Sequence, residues 1–170
     1  MNASQFLIGV SGALVGVVGW LFVGVYIQKR AHNMQARDAG RAVYFELVAN
    51  RMKIFIAAEY AVFGELSHST YERLLPELAT WLPAAELQAL VIAYLGHGGY
   101  QQAASDTEVP ANVRQAALAG LLDAHGVALG LLRPRVFSNK EIESLNKYAG
   151  SEYVRMIEAA DAAEPEGGRP

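Results

Sequence analysis

The chain has 170 residues, 52% of them hydrophobic and 18% charged, with a formal net charge of −3 and no cysteine. Without cysteine there are no disulfides, Cys-ligated zinc, iron–sulfur clusters or thiol catalysis, and the length suits one ordinary domain plus an anchor. All 14 Lys and Arg and all 17 Asp and Glu follow residue 28, so the first 28 residues form a separate apolar phase.

From Phe6 to Ile27 the chain is uncharged and mostly apolar. At about 1.5 Å per helical residue this run spans a hydrocarbon core of roughly 30 Å, so residues 1–28 read as a transmembrane anchor. A cleaved signal peptide would carry a basic leader and a shorter apolar run with a small-residue cleavage site. Lys29, Arg30, Arg37 and Arg41 follow the span and no cation precedes it, which predicts an outside N-terminus and a cytoplasmic remainder. The ten Arg against four Lys and the many alanines suggest a bacterial source, hence the inner membrane. Gly9, Gly12, Gly16 and Gly19 recur at steps of three and four and form one stripe. Small residues let helices approach closely in lipid, so the stripe is expected to mediate association with a second copy or another membrane protein.

Residues 29–42 are polar and basic and read as a juxtamembrane stalk, in which Lys29, Arg30, Arg37 and Arg41 mark topology and face lipid headgroups. The bundle domain is expected over residues 43–158. The stretch from Gln28 to Leu66 contains no proline and predicts one long helix, with Gly40 and Gly64 as candidate breaks. Its core line is Val43, Leu47, Ile54, Ala58 and Val62, widened by Tyr44, Val48, Phe55 and Phe63. Asn50 falls on this line as a buried polar residue that must be hydrogen-bonded and that fixes register.

The segment Arg41-Ala-Val-Tyr-Phe-Glu-Leu-Val-Ala-Asn50, coming directly after a single membrane helix, resembles a recurring type of small bacterial membrane protein. In that type an aromatic residue, a Glu-Leu pair and an Asn follow the anchor and precede a helical domain. The resemblance implies topology and an all-α fold and carries no activity.

Ser69 with Glu72 is a capping-box pattern, so a second helix is expected from about Thr70, with Pro76 inside it. Pro83 suits the first turn of a third, carrying Leu87, Leu90, Val91 and Tyr94. The glycines of GHGGY, Gly96 to Tyr100, predict the end or an interruption of that helix. From Ala111 the residues Leu118, Leu121, Leu122, His125, Leu129 and Leu132 share a face, with His125 as a core histidine. Ser138 with Glu141 opens a last helix along Ile142, Leu145, Ala149, Tyr153 and Met156, and residues 159–170 read as a flexible tail. The prediction is an all-α protein with one transmembrane helix and a cytoplasmic bundle of four to six helices.

No HExxH motif, nucleotide-binding glycine loop or GxSxG motif occurs, so no catalytic, cofactor or metal site is expected. A slightly acidic domain whose basic residues sit at the membrane end is a poor nucleic-acid binder. The sequence therefore favours a membrane-anchored interaction or scaffold protein that contacts lipid and binds a cytoplasmic protein. A membrane-active effector of the holin or defence kind and an enzyme with a non-local site are the alternatives.

Overall fold

The computed structural model describes the backbone of residues 3–106 and 108–147, with side chains from Gly19 onward except Leu21. Five helices and no strands make up these residues: α1 Ala3–Tyr60, α2 Ser69–Trp81, α3 Ala84–Ser105, α4 Ala111–Val136 and α5, residues 139–147. The all-α reading holds. Residues 148–170, including the expected positions Ala149, Tyr153 and Met156, lie outside the described residues.

At 58 residues, α1 is about 87 Å long at 1.5 Å per residue. It runs straight through Gly40. A Cβ there would sit 2.6 Å from Val136 Cγ1 and 3.2 Å from the Trp81 ring, so glycine serves close helix contact at this point and does not mark a break. Valine at position 40 is expected to cost roughly 1–3 kcal/mol by overpacking, because Val136 has one strongly preferred rotamer and cannot yield. Thermal unfolding of Gly40→Val beside wild type measures this, and an unchanged melting temperature would contradict the packing.

Instead of running on to Leu66, α1 stops at Tyr60, where Ala61 adopts a positive φ of 53°. The following segment returns along the helix and is tied to it. Lys53 Nζ donates to the Glu65 carbonyl, Asn50 holds Ser67, and the Gly64 amide donates to the Tyr100 hydroxyl.

The core line of α1 is buried at Val43, Leu47, Asn50, Ile54 and Ala57, and burial already begins at Ala36 and Ala39. Val62, assigned to that line by periodicity, is exposed because it lies beyond the helix end. The helix α4 runs antiparallel to α1: Arg37 and Arg41 both donate from Nε to the Val136 carbonyl, while the Arg51 guanidinium lies against Gly126. The main core gathers Val43, Leu47, Leu78, Leu90, Leu132 and Val136, with Ile142 and Leu145 of α5 packed on it. A second cluster around Ile54, Leu66, Tyr100, Leu118 and Leu121 closes the far end.

Among the described residues, α4 is the helix long and apolar enough, by length and composition, to cross a membrane. It lies inside the bundle, away from the N-terminus where the sequence places the anchor. Its inner side, Leu118, Leu121, His125, Leu129 and Leu132, is buried. Its apolar character is doubled by an outer line of Val113, Ala117, Gly120, Ala124, Val127 and Leu131, which raises mean hydropathy without requiring lipid.

Candidate functional site, a polar spine through the bundle

A set of polar side chains crosses the bundle from α1 to α4, beginning at Glu46. This residue is 9% exposed and sits one turn before Asn50. Its Oε2 accepts from the Ser67 hydroxyl at 2.8 Å and the Thr70 amide at 3.0 Å. Its Oε1 accepts from the Tyr71 amide at 3.1 Å and the Tyr94 hydroxyl at 2.8 Å. The carboxylate of one helix therefore caps the N-terminus of another, where free amides and the helix dipole favour negative charge. Burial alone pushes the Glu46 carboxyl up, but the four donors outweigh it and hold it below the usual carboxylate range.

The capping box expected from Ser69 and Glu72 is not used for this purpose. His68 occupies the cap position and no local side chain caps α2. Glu46 has already taken the amides. Asn50 completes the arrangement, donating from Nδ2 to the Ser67 carbonyl at 2.6 Å and accepting the Ser67 amide on Oδ1 at 2.9 Å.

Tyr94 stacks on Tyr71 with ring centroids 4.0 Å apart and lies 5.0 Å from the His97 ring. His97 in turn stacks near-parallel on His125, and their Nε2 atoms are 3.2 Å apart. Proton positions follow from the network. The Leu121 carbonyl can only accept, so His125 Nδ1 carries the proton it donates there. Neutral His125 then accepts on Nε2, which assigns the donated proton to His97 Nε2. His97 Nδ1 is left as a buried acceptor with no partner. Both rings are pushed toward neutrality, His97 down to about 4 by burial, His125 and His68, and His125 by burial above all.

GHGGY is thus not a helix end. The helix α3 continues to Ser105, and no glycine among the described residues has positive φ. A Cβ on Gly96 would lie 2.4 Å from Leu121 Cδ1, so this glycine lets α3 approach α4 where the two histidines meet.

Of the residues singled out from sequence, Asn50 and His125 are each fully buried. Arg37 and Arg41 reach Glu141 of α5 as well as the Val136 carbonyl. Lys29 and Arg30 are exposed on α1. For Gly9, Gly12 and Gly16 only the helical backbone is described, and Gly19 has open space around it. Sequence reasoning missed Glu46, Tyr94 and the His97–His125 contact. The available signal for Glu46 was a carboxylate four residues before the core amide Asn50, on the same helix face.

With all four donors satisfied, the Glu46 carboxylate orders structure and has little basicity left for proton transfer. Among the described residues no three His, Asp or Glu side chains converge as a metal-ligand group. Comparison with protein-family models, curated proteins and solved structures gives no match.

Proposed function

We propose that this is a single-pass protein of the bacterial inner membrane, anchored by residues 1–28, whose cytoplasmic helical bundle binds another protein. In this reading the anchor associates through Gly9, Gly12, Gly16 and Gly19. The observation that carries it is the exposure of the described end of the apolar run: Trp20, Phe22, Val23, Val25, Tyr26 and Ile27 are 57–76% exposed. These side chains point all round the helix, so burying one face on a protein would leave the others in water, whereas lipid solvates them all. Lys29 and Arg30 immediately after them favour the cytoplasmic orientation of the bundle. The bundle offers its partner apolar side chains on α3 and α4, among them Ile92, Leu95, Val113 and Val127.

Cross-linking in native membranes tests the association, with wild type beside Gly12→Ile/Gly16→Ile. Discrete adducts are expected for wild type and their loss for the variant, because branched side chains block the close backbone approach that small residues permit. Identical adducts in both would remove the glycine stripe from the proposal. Protease protection on closed vesicles reports the orientation, and loss of membrane potential on induction would favour the effector reading.

A further inference from the structure

A groove of about 310 Å³ runs between the start of α2 and the middle of α3. Tyr71, Val91 and Leu95 supply its apolar wall, and His68, Glu72, His97 and Gln101 supply polar groups. Among the described residues no Lys or Arg lines it. The polar spine runs beneath this groove without occupying it, because Tyr94 gives its hydroxyl to Glu46 and His97 turns Nε2 to His125.

We propose that this groove binds a small organic ammonium ion, a primary amine on a short apolar body, with His97 Nδ1 and the Glu72 carboxylate accepting from the charged nitrogen. His97 carries the argument. The residue is 6% exposed, and its Nδ1 is a buried acceptor with no partner. The two nitrogens of an imidazole point to nearly opposite sides of the ring. With Nε2 given to α4, Nδ1 therefore faces away from α4, on the side where the same ring lines the groove. Buried polar atoms are nearly always paired, so an unpaired acceptor at the floor of a groove implies a donor that arrives from outside. Burial holds the ring neutral down to about 4, which keeps this lone pair available at neutral pH.

The rest of the groove selects the charge of that donor. Glu72 stands at the rim with its side chain 67% exposed, and His68 Nε2 lies 3.6 Å from its Oε1. The Glu46 carboxylate, bonded to Tyr94, is close enough to His97 to favour positive charge there. To these acceptors an ammonium brings three donors and a positive charge in one small group, whereas a phosphate or carboxylate would bring acceptors and like charge. A metal ion needs three or more converging ligands, and no three His, Asp or Glu side chains converge among the described residues. The apolar wall takes the body of the ligand, and the volume is that of a small-molecule site.

With four histidines in the chain, the site can be watched directly. Full-length protein, isotopically labelled at the histidine nitrogens, is titrated by NMR with n-butylammonium and with n-butanol as the uncharged analogue. A saturable change at His97 Nδ1 toward the hydrogen-bonded value is expected with n-butylammonium. Binding of n-butanol should be roughly tenfold weaker, since hydrogen bonds to a charged group are the stronger ones. Glu72→Gln changes an exposed side chain and leaves the fold intact; it should weaken binding roughly threefold, the scale of an exposed ion pair. Glu77→Gln, exposed on α2 outside the groove, should leave binding unchanged. The absence of a saturable change at His97 overturns the proposal, and so does equal binding of n-butanol or a change of equal size at all four histidines. Saturation by Zn²⁺ at His97 and His68 together would make this a metal site and overturn it as well. The groove lies at the start of α2 and on α3, so its failure leaves the anchor and the glycine stripe untouched.

Discussion

Replacing Glu46 by alanine is expected to cost about 2–5 kcal/mol, because it strands several neutral donors at about 1–3 kcal/mol for each one left buried and removes a helix cap worth about 0.5–2 kcal/mol. The mechanism is specific. The Thr70 and Tyr71 amides and the Tyr94 hydroxyl lose their acceptor together, and the start of α2 loses its cap in the same step. For a domain of this size the melting temperature should fall by roughly 10 °C or more. Tyr94→Phe removes one donor of the four and should cost about 1 kcal/mol. Glu46→Gln should fall between the two, because it keeps one acceptor oxygen but turns an amide donor toward other donors. Thermal or denaturant unfolding of the three variants gives the order directly; a Glu46→Ala protein as stable as Tyr94→Phe would mean that the carboxylate does not hold α2. The Glu46 carboxyl is held below its ordinary value, so its contribution is complete above the normal carboxylate range and is lost as pH falls through the lowered value.

The second large effect is acid sensitivity at higher pH, from the histidine pair. In the unfolded chain an imidazole takes up its proton near 6.5, but burial holds His97 neutral down to about 4. Between those values the unfolded state binds more protons, so stability falls as pH falls, by at most about 1.4 kcal/mol per pH unit for each buried imidazole. His125 is shifted in the same direction and adds to the slope. Unfolding midpoints across this range should therefore drop steeply for wild type and much less for His97→Met/His125→Met, whose adaptable side chains replace both partners at once. Each single replacement should cost about 1–3 kcal/mol at neutral pH by stranding the other ring. A flat wild-type profile from pH 6.5 to 4.5 would show that the pair is not held neutral.

These two sites also mark what could be read from the sequence. Asn50, placed by its spacing from Leu47 and Ile54, lies in the core because helical periodicity is a local property. The Ser138–Glu141 capping box was legible for the same reason, and its Glu141 carboxylate accepts from both the amide and the hydroxyl of Ser138. Ser69 and Glu72 show the same pattern but lost the position to Glu46, more than twenty residues earlier, and no local rule weighs a cap from another helix. GHGGY misled for a related reason. Glycine weakens helices when considered alone, yet Gly96 is required by Leu121 of a neighbouring helix, and only that contact brings His97 to His125. At the start of α2 and at GHGGY, pattern and structure part company because of a partner distant in sequence.

The unbroken course of α1 has a mechanical side. No glycine or proline lies between Ile27 and Ala39, and sharp kinks arise chiefly at such residues. The stretch from Ile27 to Tyr60 thus behaves as a lever arm of about 50 Å. If residues 1–28 span a membrane as proposed, a change in tilt of about 10° where α1 leaves the lipid would swing Tyr60 sideways by roughly 9 Å and carry α2, α3 and α4 with it. On that reading a partner held at the far end of the bundle would register events in the bilayer as displacement, with no hinge to absorb them.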